Sequence, residues 1–226
     1  MNNMKKKFLN LFAIAIIGVL VSASCSEIEE LDRQVDEMHL NNLKDWVVNG
    51  STSEKAIAQF GYENCFKVLP LQDYYWEDYQ NSQHDATATM NRSDLMSVRS
   101  LVYCGTSMSP LKTGEIICNK TIANDLLAIF RALYEAKYNV DAVIPLFMNN
   151  YQSLTEQANA SSNNTFCFHF MGTPLPEAHV KGLAVVLNPY TPPTADDLAV
   201  KLFKQHGFTW GGDSADGKRY YFEKKE

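Results

Sequence analysis

The chain has 226 residues, 46% of them hydrophobic, with 20 basic against 26 acidic side chains and a net charge of −6 when histidine is neutral. That length can bury a sizeable core, in one domain or in one domain with an appended segment. The acidic balance lacks the basic footprint that nucleic-acid or anionic-surface binding requires, so neither class of partner is expected.

In chain order, the first element is a leader. Lys5, Lys6 and Lys7 precede an apolar run of about 14 residues from Phe8 to Val21, then Ser22-Ala23-Ser24 before Cys25. This is the layout of a secretory signal peptide over residues 1–24. A membrane-spanning helix, the competing reading, needs roughly 20 apolar residues. Losing the leader removes three lysines and no acid, leaving 17 basic against 26 acidic side chains, about −9. Small residues just before a cysteine resemble the lipobox of bacterial lipoproteins, which implies that Cys25 is acylated and anchors the mature chain in a membrane of the cell envelope. Ser26-Glu27-Ile28-Glu29-Glu30 resembles the surface-export signal of Bacteroidetes lipoproteins, and reads equally well as a solvated tether. The membrane face stays open.

Ile28, Leu31, Val35, Met38, Leu43, Trp46 and Val47 recur at helical spacing up to Asn49-Gly50, so residues 25–50 comprise the tether and an amphipathic helix. Residues 51–100 are aromatic around Tyr74-Tyr75-Trp76, then polar, and present no motif; they form an N-terminal extension of unassigned role. The remainder, 101–226, reads as one domain. Leu101 to Cys104 and Glu115 to Cys118 flank Gly105, Pro110 and Gly114, the pattern of a hairpin with a long loop. Thr121 is the expected cap of a helix whose stripe is Ile122, Leu126, Ile129, Phe130, Leu133 and Tyr134, broken at Asn139. Val140 to Phe147 reads as a buried strand, 149–164 as a polar connection, and Phe166 to Phe170 and Gly182 to Leu187 as further strands. Thr194 with Asp197 three residues on suits a helix start, with a stop at Gly207, and Arg219 to Glu223 is the last strand. With helices early and strands late, the class is α+β.

Outside the leader the cysteines are Cys65, Cys104, Cys118 and Cys167. In an oxidising compartment they permit two disulfides in three connectivities, Cys104 with Cys118 being one candidate pair; the alternative is four buried thiols. No Cys-x-x-Cys supports a zinc ribbon or redox centre.

Ala178-His179-Val180-Lys181-Gly182-Leu183-Ala184-Val185-Val186-Leu187-Asn188-Pro189, followed by Gly207-Phe208-Thr209-Trp210-Gly211-Gly212 and Tyr221-Phe222-Glu223, resembles the D-alanyl-D-alanine carboxypeptidase-like zinc peptidases, a fold shared with hedgehog signalling domains. Gly114 to Asn119 leading into Ile122 to Tyr134 adds to the resemblance, which covers about residues 100–226. It implies a small antiparallel sheet with helices packed on it, and a zinc ion held by three protein ligands with a position left for water.

That family draws two ligands from His-x-x-Gly-x-Ala-x-Asp-x-Asn-Pro and a third from a final His-Phe-Glu preceded by an acidic general base. Here His179 stands at the first ligand position, Val186 at the Asp position and Tyr221 at the last His. The family's Phe-Asn-Tyr-Arg strand aligns with Phe168-His169-Phe170-Met171, putting methionine where an arginine binds substrate or developing charge. Lys218 falls near the general base, with Asp216 the nearest acid, and Glu177 takes the place of a serine. The turn and packing residues Gly182, Asn188-Pro189, Gly207 and Trp210-Gly211-Gly212 remain. Scaffold kept with chemistry lost is the pattern of a pseudoenzyme.

His179 is then either a vestigial ligand or a core histidine. Residues two apart in a strand share a face, so His169, His179 and Glu223 are candidates for a rebuilt metal site. Asn188, Trp210 and Tyr221 could line a peptide groove, or Trp210 and Tyr221 could simply pack. His39 and His84 lie outside the matching region, and His206 suits a helix C-terminus. The leading expectation is a lipid-anchored, catalytically inactive carboxypeptidase homologue without a cofactor, binding a cell-wall peptide or an envelope protein. The runner-up is an active peptidoglycan metallopeptidase with rearranged zinc ligands, and a third reading is an accessory subunit of an envelope complex.

Overall fold

The computed structural model describes residues 53–81, 90–103, 113–140, 143–145, 164–168, 177–189, 191–215 and 217–225, all within the unit Trp46–Glu226. The expected leader, Cys25, the tether and the helix over 28–50 lie outside them. Helices α1 (Ser53–Phe60), α2 (Asp73–Asn81), α3 (Ala123–Glu135), α4 (Glu177–Val180) and α5 (Leu198–Gln205) interleave with strands β1 (Lys67–Pro70), β2 (Leu95–Leu101), β3 (Thr113–Asn119), β4 (Ala184–Val186), β5 (Thr209–Trp210) and β6 (Tyr221–Glu223). The class is α+β. The strands form two antiparallel three-stranded sheets, ordered β1-β2-β3 and β4-β6-β5, rather than one. Among the described residues no helix is long and apolar enough to cross a membrane.

The hairpin expected around 101–118 is present, but β2 begins at Leu95 and pairs from Leu95↔Asn119 to Leu101↔Thr113. Ser97, Arg99 and Ser100 hid that strand, because it is buried by a partner distant in sequence. The expected boundary at residue 101 therefore falls at the end of β2, and residues 53–100 supply β1, most of β2 and two helices. Every residue of β3 is buried, so the first sheet is covered on both faces. Val98, Ile116 and Cys118 face a core shared with Leu126, Ile129, Phe130 and Leu133 of α3, and with Val185, Phe203 and Phe222 from the second sheet and α5. Leu95 and Ile117 face the other way, onto Tyr75 and Tyr79 of α2 and Phe168.

Helix ends follow local chemistry. Thr121 is not the cap of α3: the capping position is Ile122, without a side-chain bond, while Thr121 Oγ1 donates to Asn119 Oδ1 at 2.8 Å. Likewise α5 is capped by Asp197, whose carboxylate accepts from the Ala199 N–H at 2.8 Å, rather than by Thr194. Its far end is as expected, with Gly207 at φ +81. The N–H groups of Phe208 and Gly207 donate to the carbonyls of Phe203 and Lys204, and the Phe208 ring packs edge-on against Phe203 at 5.2 Å, the bonds and apolar contact of a Schellman ending. The strand expected over 140–147 reduces, among the described residues, to bridges at Val140 with Pro189 and Val143 with Thr165. Phe166 bridges Val186, and the Phe168 N–H donates to the Ile117 carbonyl, so this short segment links the two sheets.

Candidate functional site

The segment carrying His179 is a single turn, α4, ended by Gly182 at φ +67. The Gly182 and Leu183 N–H groups return to the carbonyls of His179 and Ala178, and the chain then enters β4. Gly182 sits against the end of β3: its carbonyl accepts from the Asn119 N–H at 2.8 Å and from the Cys167 thiol at 3.1 Å. A Cβ on Gly182 would lie 2.7 Å from the Asn119 nitrogen, so glycine is required both by φ and by contact.

His179 is 4% exposed. Its Nδ1 lies 2.7 Å from the Cys167 carbonyl oxygen, which only accepts, so this nitrogen carries the proton. The ring stacks on Phe166 at 5.1 Å and meets Tyr221 edge-on at 5.5 Å. Burial holds its pKa below the usual histidine range, against the opposing pull of the Cys167 carbonyl, Glu223 and the Ala184 carbonyl. The ring is thus held neutral inside an aromatic stack.

β4 and β6 pair with Val186 opposite Tyr221 and Ala184 opposite Glu223. The three positions that the resemblance equates with zinc ligands are neighbours: Val186 lies opposite Tyr221, and the His179 ring meets Tyr221. Their side chains do not coordinate there. Valine has no lone pair, and the Tyr221 hydroxyl donates to Glu223 Oε2 at 2.8 Å. Burial first, then that bond to Glu223, pushes the Tyr221 pKa up, so it stays a neutral phenol. Among the described residues, no group of three or more His, Cys, Asp or Glu is placed to hold a metal ion, and the residues at these positions do not fit a zinc tripod.

Compared with known proteins, the chain matches no family model, no curated protein and no solved structure.

Trp210 belongs to the main core. It is 6% exposed, its indole N–H donates to the Arg219 carbonyl at 2.8 Å, and its ring lies where a Cβ on Gly212 would be. Gly211 has a similar reason: a Cβ there would come within 2.5 Å of the Lys218 carbonyl. The Gly-Gly pair thus serves the packing of Trp210 and the turn before β6. Lys218 is exposed, Glu177 is exposed and ion-paired with Lys181, and Asn188 is half-buried with its N–H on Thr165 Oγ1 at 2.9 Å. His206 closes α5 as expected, and its Nδ1 also faces Asp125 at 3.0 Å, an acid that Lys224 meets from the other side at 2.7 Å. His39, His84, His169, Met171 and Asp216 lie outside the described residues, so of the triplet His169, His179 and Glu223 only the last two are placed. Cys65, Cys118 and Cys167 are buried free thiols whose pKa burial pushes up, so Cys118 is not half of a bridge with Cys104, which is itself outside the described residues.

A buried polar cluster on the first sheet escaped the sequence reading. Arg99, 2% exposed, sits opposite Glu115, fully buried, in the β2–β3 register. Ser97 Oγ donates to Glu115 Oε1 and the Tyr75 hydroxyl donates to Oε2 at 3.0 Å. Burial raises the Glu115 pKa, with Ser97, Arg99 and Tyr75 opposing. The available signal was charge inside two apolar strand patterns, which only the register brings face to face.

Proposed function

We propose that this chain is a lipid-anchored cell-envelope protein built on a D-alanyl-D-alanine carboxypeptidase-like scaffold, catalytically inactive, that binds a cell-wall peptide or an envelope protein. One observation carries the reading: His179, Val186 and Tyr221, separated by up to 42 positions of sequence, are neighbours, yet they pack as an imidazole edge-on to a phenol, beside a valine. Convergence of positions supports a common scaffold; replacement of the donors supports lost chemistry. Among the described residues, these three positions offer a zinc ion one imidazole and no second imidazole or carboxylate, against the three ligands and open water position of a catalytic site.

Zinc content measured by elemental analysis of the purified protein, grown in zinc and dialysed without chelator, tests this. Clearly substoichiometric zinc is expected. One equivalent that disappears in His179→Ala would overturn the reading in favour of an active metallopeptidase with rearranged ligands, to be assayed on a D-alanyl-D-alanine peptide. Anchoring is tested separately by Cys25→Ser, which should leave the membrane fraction; retention there would sink the lipoprotein part.

A further inference from the structure

We propose that a cleft beside the first turn of α3 binds a small organic anion, a carboxylate carried on a short aliphatic body. The cleft encloses about 550 Å³, inside the usual range for small-ligand sites. Lys120 from the turn after β3, Lys181 from the turn after α4, and Lys224 and Lys225 from the tail of β6 all line it. Four lysines among ten lining residues, in a chain of net charge −6, make this a local reversal of the protein's charge.

Asp94 is the one acid in the lining, and Lys120 Nζ meets it at 2.7 Å. Lys181 and Lys224 lean instead on acids outside the lining, Glu177 at 3.0 Å and Asp125 at 2.7 Å. Those pairs orient the ammonium groups, each of which carries three N–H donors. The capping position of α3, Ile122, makes no side-chain bond to the first turn, and the partial positive charge of that helix end adds to the lysines.

The lining is not purely polar. Met90 and the aliphatic stems of the four lysines present carbon to it above the buried Ile122 and Leu183, which gives a ligand apolar surface to cover. The wall is also preformed: Asn119 ties its parts together, with Nδ2 donating to the Lys181 carbonyl at 3.1 Å and its N–H to Gly182. A cationic rim over an apolar floor selects an anion with hydrocarbon attached over a bare inorganic anion. This inference stands on the cleft alone and is independent of the state of His179.

The test is calorimetric titration of the full protein with hexanoate and with N-acetyl-leucine, each against its neutral amide, and with acetate. Both carboxylates should bind more tightly than their amides and than acetate; whichever of the two binds more tightly assigns a fatty-acid or a peptide-terminus source. Lys120→Met and Lys225→Met should each weaken binding by about fivefold, as for loss of one part-exposed charged contact, whereas Lys201→Met on the exposed side of α5 should leave it unchanged. Amides binding as well as acids, acetate binding as well as hexanoate, no carboxylate binding, or cleft variants that bind like the Lys201 variant would each overturn the proposal. Zinc content and the His179 variants play no part in this readout, so its failure leaves the preceding proposal standing.

Discussion

Replacing Gly182 with alanine tests how the histidine turn is docked on the first sheet. Gly182 has φ +67, where an L residue costs about 1–2 kcal/mol. Its Cβ would also lie 2.7 Å from the Asn119 backbone nitrogen and 3.2 Å from the Cys118 carbonyl carbon. Neither neighbour is a flexible side-chain tip, so β3 or the turn must move, stretching the Asn119 N–H bond to the Gly182 carbonyl; such overpacking adds about 1–3 kcal/mol. Gly217 is the matched control, with φ +59 and nothing within 4 Å of its Cβ, so Gly217→Ala bears only the conformational cost. Gly182→Ala should therefore lose about 2 kcal/mol more than Gly217→Ala, a gap of about 4–8 °C in melting temperature for a unit of this size. Urea and thermal unfolding of the two variants read this directly. Equal losses would refute the close contact between the turn and the end of β3, and with it the preformed wall of the lysine cleft.

Lys137, at φ +53, closes α3 in the left-handed region, with Tyr138 and Lys137 N–H groups returning to the Leu133 and Tyr134 carbonyls; Lys137→Gly should raise stability by about 1 kcal/mol in urea unfolding, and destabilisation would contradict that geometry. Glu115→Ala should cost about 3–5 kcal/mol in the same assay, because it strips a fully buried partner from Arg99, Ser97 and Tyr75; a cost below about 1 kcal/mol would mean the cluster is not held by that carboxylate. The pH dependence of melting should carry the His179 signature. Its folded pKa is lowered, so the unfolded chain binds more protons as pH falls below about 6.5, and stability is lost downward from there toward the folded value. His179→Phe should be less stable at pH 7.5, having lost the bond to the Cys167 carbonyl, but should lose less on going to pH 5.5; a slope unchanged from wild type would place the titration elsewhere.

Patterns read along the chain determined the α+β class, the apolar stripe of α3 and the stop of α5 at Gly207. These are local: side-chain periodicity and φ preference act within a few residues, so the residues themselves carry the signal. Even there, caps slipped, from Thr121 to Ile122 and from Thr194 to Asp197, because several nearby polar groups compete for the same N–H donors. What lay between residues 53 and 100 was illegible for a different reason. Ser97 and Arg99 look like solvent-facing residues until β3 supplies Glu115 opposite and α2 supplies Tyr75, and both are decided by pairing at long range. The same holds for the site. The resemblance aligned His179, Val186 and Tyr221 with one set of ligand positions, but only the β4–β6 register brings Val186 opposite Tyr221, and only burial turns the imidazole into a stacked, neutral core group. The lysine cleft belongs wholly to tertiary structure, since its four cations come from two turns and the tail of β6, whose meeting depends on the docking of Gly182 against Asn119.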